Sequence, residues 1–435
     1  MTDPTPNTKP EVGDPGPLGL FEGFGVEIEW MIVDSESLDI RPSGDLLLGE
    51  DGEVERGPMA WSNELVLHVI EAKTNGPAPT LYGLAEAFHA EVMEAERRLE
   101  PLGCRLLSGG AHPWMEPARD TRIWPHEYTE VYRAFDRIFG VQGHGWSNLQ
   151  STHLNLPFSG DEEFAALHQA IRLILPLVPA LSAASPVLDG VVQPNLDERM
   201  DRYRTNAARV PSVSGGVIPD RSLSRRAYET EVLAGLYRDL APHDPEGTLR
   251  HEWVNARGAI PRFERGAIEI RVIDAQESPV MDLAILKLVV ALIRRITAAG
   301  FASSDPTGRS PLDRVSTEVL REVLADTVRD AERASLNGVR RREAMAPLLD
   351  VLQMADLHPR DAGAFWAAGA EVTGEDSTEL RTLLDQGPLA RRIVRALGTK
   401  GGRELRPGDA PGEAVLRSTW RGVGEALREN RPFAP

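Results

Sequence analysis

The sequence predicts an α+β fold. Three segments alternate apolar and polar residues with a period of two, amphipathic helical stretches separate them, and a nearly continuous helical run extends from Asp313 to Gly398. With 435 residues, 41% hydrophobic and 26% charged, the chain has the composition of an ordinary globular protein with a sizeable core.

The elements follow in order. Met1 to Pro17 mixes Pro, Asp, Gly and Thr without an apolar run, so it is expected to be a disordered tail and not a signal peptide. Phe24 to Val33 alternates, with Val26, Ile28, Trp30 and Ile32 on one side, which is a strand. A second apolar run, Leu65 to Ile70, ends at Glu71. Thr80 can then cap a helix with the stripe Leu81, Leu84, Phe88, Val92, Ala95 and Leu99, stopped by Pro101 and Gly103. Short strands are expected at Arg105 to Leu107 and Ser151 to Pro157, and a helix broken by Pro176 and Pro179 over Ala165 to Leu181. Asp189 to Asp220 reads as a long loop, Phe263 to Ile273 as the last strand, and Ser278-Pro279 to Gly300 as a helix with a good start and stop.

Charge excludes several roles. A net charge of −18 disfavours binding to nucleic acid or to an anionic membrane, since both need a basic footprint. The most apolar segment, Val280 to Ile296, carries Lys287, Arg294 and Arg295, so it reads as a buried helix rather than a membrane span. The single cysteine, Cys104, rules out an internal disulfide framework; it fits a reducing, cytoplasmic setting and reads as a small buried hydrophobe. No lysine sits in a P-loop, no GxGxxG follows a strand, and HExxH and GxSxG are absent.

The chemistry sits in doublets at i, i+2 inside the alternating segments. These are Glu27 and Glu29, His153 and Asn155, and Glu269 and Arg271, each separated by an aliphatic residue. Period two puts both members on one face, so the strands would present a greasy side and a polar side. If the strands share a sheet, the polar groups converge. Such a face must be solvated, paired or ligated, because isolated buried carboxylates are costly. Several carboxylates with one histidine suit Mg²⁺ or Mn²⁺ better than structural zinc; the competing reading is a solvated face with cross-strand Glu–Arg pairs. Glu64 and Glu71 flank Leu65-Val-Leu-His-Val-Ile70 at an odd offset, so one of them must lie in a loop or beyond a bulge. His68 between them reads as a satisfied strand histidine.

A second cluster, Asn255 to Arg265, offers Arg257, Arg262 and Arg265, whose forks match phosphate and carboxylate oxygens. Lysine occurs only at Lys9, Lys73, Lys287 and Lys400, so arginine supplies the rest of the 48 basic residues and any single arginine carries less weight. Arg204 and Arg209 are further candidates for gripping an anionic substrate.

Taken in order, Gly25-Val-Glu-Ile-Glu-Trp30, the Glu64 and Glu71 pair with Ala72-Lys-Thr74, Gly110-Ala-His-Pro113, His153-Leu-Asn155, Asn255-Ala-Arg-Gly-Ala-Ile260 and Ala267-Ile-Glu-Ile-Arg271 resemble the glutamate-cysteine ligase and carboxylate-amine ligase family, whose catalytic domain is similar to glutamine synthetase. The match runs from Phe24 to Ile296; the helical final third carries no matching motif. The resemblance implies a curved antiparallel sheet of glutamine synthetase type, with helices on its convex face and Mg²⁺ and ATP in its concave face. It implies a catalytic domain over residues 18–300 and a helical extension, 301–435, packed on the same domain.

Carried over residue by residue, the resemblance implies that Glu27, Glu29, Glu64, Glu71, His153 and Glu269 ligate metal. It implies a nucleotide or substrate contact for Asn155 and phosphate contacts for Arg257, Arg262 and Arg271, with Arg271, Arg262 and Glu269 at the reacting groups and Thr74 near substrate. The sequence departs from the commoner bacterial pattern at Ile28, where a third acid is expected, and at Leu154-Asn155, where a second histidine is expected. The expected activity is an ATP-dependent carboxylate-amine ligase working through an acyl phosphate on small-molecule substrates, foremost glutamate and cysteine. The alternative is a non-catalytic sensor or partner subunit that binds ATP or amino acids.

Overall fold

Complete burial of Val26, Ile28, Trp30 and Ile32 fixes one side of the first strand, β1 (Gly25–Asp34), against the main hydrophobic core. The computed structural model describes residues 16–300, 312, 315–400 and 403–435, so most of the expected tail and residues 301–311 of the expected extension lie outside the described residues. Around β1 lie β2 (Glu53–Arg56), β3 (Met59–Asn63), β4 (Val69–Thr74), β5 (Cys104–Leu107), β6 (Ser151–Pro157), β7 (Ala259–Arg262) and β8 (Ala267–Asp274). They form one eight-stranded sheet in the order β2-β3-β4-β1-β6-β8-β7, with β5 also on β1, and every pairing is antiparallel.

β4 takes one edge of β1. The other edge is shared, with β6 beside Gly25 to Ile28 and β5 beside Met31 to Asp34. This division sets where polar residues are tolerated. Met31 and Val33, on the doublet's side of β1, are buried in a second core with Leu107, Val69 and Trp420, so that face is open to polar chemistry only at Glu27 and Glu29.

The helices used below are α1 (Leu84–Leu99), α2 (Thr129–Phe139), α3 (Gly160–Ile174), α4 (Glu198–Thr205), α5 (Pro279–Gly300), α6 (Thr317–Asp330) and α7 (Glu413–Glu429). α5 is the hub: it packs against α1 and α3 and against the helices Val339–Leu352, Ala362–Thr373 and Thr378–Gln386. Its apolar residues belong to the same core as the inner face of the sheet, which is why a segment this hydrophobic stays in the protein interior. Among the described residues no helix is long and apolar enough to cross a membrane.

Several boundaries differ from the sequence reading, each for a local reason. α1 begins at Leu84 after Gly83 in a left-handed conformation (φ 82°), and Thr80 instead accepts the Tyr82 N–H at 3.2 Å in the preceding turn. The run Leu65 to Ile70 is mostly irregular, because β4 starts only at Val69; His68 therefore sits in a turn, fully buried, with Nε2 2.8 Å from the Ser147 carbonyl. Phe263 to Arg265 is a 3-10 turn joining β7 to β8 rather than part of a strand. The expected long loop after Asp189 contains α4, whose first turn is capped by Asp197 accepting from Met200 N at 2.8 Å. Cys104 is buried, as its apolar surroundings imply.

The carboxy-terminal segment is tied down by a charge pair. Arg392 and Glu277 are both fully buried; Arg392 donates to Glu277 and to the Phe433 carbonyl at 2.9 Å, while Glu277 accepts the Phe433 N–H at 2.9 Å. Removing one partner leaves a buried charge alone, which costs about 3–5 kcal/mol, whereas replacing both with apolar residues is often near neutral. Urea unfolding of Arg392→Met should show a loss of that size and of Glu277→Leu/Arg392→Met a much smaller one; equal losses would deny the pairing its role.

Candidate active site

The register of the sheet assembles the site. Glu27 stands opposite Lys73 on β4 and His153 on β6, Glu29 opposite Glu71, and Asn155 opposite both Gly25 and Glu269. A Cβ at Gly25 would lie 2.9 Å from that of Asn155, so only glycine lets the amide cross β1 toward Glu27. Asn155 Nδ2 donates to Glu27 Oε1 at 3.1 Å, and His153 Nδ1 lies 3.0 Å from Glu27 Oε2. Glu29 accepts from Ser151 N at 2.8 Å and Ser151 Oγ at 3.2 Å, and that hydroxyl lies 2.8 Å from His153 Nε2.

Glu269, 1% exposed, is held by two guanidinium groups. Arg262 Nη1 reaches one carboxylate oxygen at 2.8 Å from the neighbouring strand, and Arg271 Nε reaches the other at 2.5 Å. The register of β8 on β6 shifts between Ile270 and Ile273, so Arg271 and Val272 together stand opposite His153. At this bulge the Arg271 N–H donates to the Gly258 carbonyl at 2.9 Å, continuing the register of β8 on β7. Behind it, Asp274 accepts from Arg199 Nε at 2.5 Å, and Arg199 Nη2 donates to the Arg271 carbonyl at 3.3 Å.

Two groups of donors each bring their ligand atoms within 4.8 Å of one another: Glu27, His153 and Glu269, and Glu29, Glu71 and His153. Glu64 follows β3 in a loop while Glu71 lies on β4, which resolves their odd spacing. Glu64 lines the same cavity but belongs to neither group. The cavity has a volume of about 1320 Å³ and also takes in Thr74, Asn155, Arg262, Arg265 and Arg271.

Crowded carboxylates and burial set the protonation. Burial, with the Glu29 and Glu27 charges adding to it, pushes Glu64 up to about 8. Burial and the neighbours Glu27 and Glu64 carry Glu71 well above the usual carboxylate range. Burial alone would lower His153, but the Glu27 hydrogen bond and the charges of Glu29 and Glu269 outweigh it and raise the imidazole to about 9. Glu269 goes the other way, to about 2, because Arg271, His153 and Arg262 outweigh its burial. Neighbouring carboxyl groups of one face are thus pushed in opposite directions by burial and by the cations within reach.

Three arginines singled out in the sequence are placed elsewhere. Arg257 is buried behind β7, donating to Asp220 at 2.9 Å, the Ser212 carbonyl at 3.1 Å and Asn255 Oδ1 at 3.0 Å. Arg204 pairs with Asp201 on its own helix, α4. Arg209 Nη1 donates to the carbonyls of Arg137 and Ile138 at 3.3 and 3.1 Å, at the end of α2. None of the three lines the cavity. Conversely, the cavity contains Lys73, Ser151, Arg199 and Tyr203, which the sequence reading passed over. Lys73 extends Glu71, and Ser151 extends His153, by the same i, i+2 rule. Arg199 and Tyr203 are one helical turn apart on α4, a signal hidden because that helix has no apolar stripe.

A family model, glutamate-cysteine ligase family 2, matches residues 23–405. The chain belongs to this family. A protein of Archaeoglobus fulgidus without an assigned function is 36% identical over 276 residues, 62% of this chain and 74% of that protein. A putative glutamate–cysteine ligase 2-3 of Rubrobacter xylanophilus is 29% identical over 65% of this chain and 71% of its own length. A glutamate–cysteine ligase of Halobacterium salinarum is 25% identical over 65% of this chain and 72% of its own. Among solved structures, a bifunctional glutathione synthetase from Pasteurella multocida shares the fold, with a TM-score of 0.56 and 13% identity over 93% of this chain; this family member spans 53% of that protein.

The raised pKa of Glu64 has a consequence for stability. A carboxyl group whose folded value lies above its unfolded one stabilises the fold fully at low pH and loses that contribution as pH rises toward the folded value, here about 8. With chelator present, the thermal midpoint should fall between pH 5 and pH 8 and fall less in Glu64→Gln. An identical pH dependence in the two proteins would contradict the burial of an ionising Glu64.

Proposed function

We propose that the cavity catalyses ATP-dependent joining of a carboxylate to an amine, as the family membership implies, with the γ-carboxylate of glutamate as acid and cysteine or a related amine as acceptor. The observation that carries the residue assignment is the convergence of Glu27, His153 and Glu269 with Arg262 and Arg271 bound to the Glu269 oxygens.

The donor set fits a hard divalent cation. Carboxylate oxygens dominate it, a single imidazole completes it, and burial beside other carboxylates raises Glu64 and Glu71, an effect that a cation bound there would offset. Glu27, Glu269 and His153 would hold one Mg²⁺ or Mn²⁺, and Glu29 and Glu71, with Glu64 close by, a second. Bound there, the ions would offset the charge of the ATP phosphates.

The chain's own residues would then do the following. Arg271 and Arg262, whose guanidinium groups already converge on one carboxylate, would turn part of their donor set to the oxygens of the migrating phosphoryl group. Asn155 would donate an amide hydrogen beside Glu27, and Lys73 and Thr74 would border the acid substrate. The substrate carboxylate oxygen attacks the γ-phosphorus, forming one P–O bond as the bridging bond to ADP breaks. The amine nitrogen then attacks the acyl carbon; the C–N bond forms, the C–O bond to phosphate breaks, and the ammonium loses its protons to the surrounding carboxylates. An amine cannot displace oxide from a free carboxylate, which is why phosphorylation must come first.

Purified protein with ATP, Mg²⁺, glutamate and an amine should release ADP and phosphate only when both co-substrates are present. Glu27→Gln and Glu269→Gln should each lower kcat/KM by roughly 10²–10³ or more without lowering the thermal midpoint. Unchanged turnover in either variant would remove that residue from the assignment.

A further inference from the structure

The cavity has a second wall that the sheet does not supply. Tyr132 and Phe135 on α2, Trp146, Tyr203 on α4 and Trp253 bound it together with the acidic strands. The rings touch one another: Phe135 lies 5.3 Å from Trp146 and 6.0 Å from Trp253, centroid to centroid. They are held from behind. Trp146 Nε1 donates to the Asn206 carbonyl at 3.1 Å, Tyr132 Oη accepts from Asn63 Nδ2 at 2.9 Å, and Trp253 stacks on His251 at an interplanar angle of 10°. Phe135, Trp146 and Trp253 are only partly buried: Phe135 and Trp253 pack on the main core with part of their surface, and all three line the cavity.

This wall adjoins the start of β6, where Leu149 lines the cavity, and the loop that carries Glu64, Leu65 and Val66. The neighbourhood is thus aromatic and aliphatic around one carboxyl group, that of Glu64. The cations lining the cavity are engaged or distant. Lys73 pairs with Glu53 at 3.2 Å and Glu71 at 3.8 Å, Arg199 with Asp274 at 2.5 Å, and Arg262 and Arg271 with Glu269 at 2.8 and 2.5 Å. Arg265 lies in the β7–β8 turn, beside Pro157 at the opposite end of β6 from Leu149.

We propose that this aromatic wall is the acceptor subsite and that it takes a primary amine carried on an aromatic or bulky apolar body with no carboxylate of its own. The inference rests on the ligase reading and narrows its amine. An α-amino acid acceptor such as cysteine would bring a carboxylate into a region of rings and acids without a free guanidinium to meet it. An aryl amine instead stacks on Phe135, Trp146 and Trp253, while its ammonium end donates to the Glu64 carboxyl oxygen and meets the ring faces by cation–π attraction. The amine nitrogen is then turned toward the strands that carry the phosphoryl chemistry.

The test is a set of steady-state assays on the full chain with ATP, Mg²⁺ and glutamate, offering phenethylamine, tyramine and cysteine, with phosphate release and the mass of the conjugate as readouts. The aryl amines should exceed cysteine in kcat/KM by about tenfold or more, since the discrimination comes from one ring's worth of apolar contact. Trp146→Ala should raise the KM for phenethylamine by about tenfold and leave that for ATP unchanged, with Phe135→Leu as a second variant that preserves packing volume. Phenethylamine should also quench the tryptophan fluorescence of the wild-type protein, and less so that of Trp146→Ala. A preference for cysteine overturns the inference and leaves the ligase reading standing. So does a rise in the KM for ATP alone in Trp146→Ala, which would give the wall to adenine. Absence of turnover with every amine removes both.

Discussion

Like charge held at close quarters is the constraint on which this molecule turns. Glu27, Glu29, Glu71 and Glu269 share one face of a sheet, and each is at most half-exposed. Their mutual repulsion is offset inside the protein by His153, Lys73, Arg262 and Arg271, while burial and the neighbouring carboxylates together push Glu64 and Glu71 upward. A face of this kind is stable only because the opposite face is buried in the main core: Val26, Ile28, Trp30, Leu154, Leu156, Ile268 and Ile270 are all buried. Slipping any strand by one residue would exchange the two faces, so the hydrophobic effect on one side fixes the position of every carboxylate on the other.

The scaffold around this face spends its irregularities there. Gly25 permits the Asn155 amide to lie across β1, and the register shift in β8 places Arg271 beside His153. The buried Asp274–Arg199 pair then holds the Arg271 carbonyl from behind. The arginine of Asn255-Ala-Arg257 serves the same end from outside the cavity: it fixes the loop 212–220, which meets Gly258 through Val217, and Gly258 in turn accepts the Arg271 N–H. Family membership explains the recurrence of these short motifs in order along the chain, and the geometry says what each contributes.

The strands and their polar doublets were legible because period-two alternation carries facing as well as existence, so Glu27, His153 and Glu269 could be put on one face before any pairing was known. Pairing itself was not legible, so Lys73 and Ser151, which the same alternation puts on that face, could not be matched to Glu27 and Glu29 across the strands. Arg257 illustrates the limit for loops. It precedes β7 by two residues, where no period fixes its direction, and its guanidinium packs so closely on Gly215 that a Cβ there would come within 2.5 Å. α4 stayed hidden because its sequence, ERMDRYRT, has no apolar stripe; its helical state rests on the Asp197 cap and on the burial of Arg199, Met200 and Tyr203. Thr80 shows the converse, a good capping residue that lost to a glycine able to take a left-handed conformation.

The claim beneath all of this is that carboxylates from β1, β4 and β8 gather around divalent metal with the β6 histidine. Anomalous diffraction from crystals grown with Mn²⁺ and a non-hydrolysable ATP analogue tests it directly. The account places manganese among Glu27, His153 and Glu269, with a second site at Glu29 and Glu71. Manganese found only elsewhere, or a fully occupied nucleotide with no metal against these side chains, would contradict it.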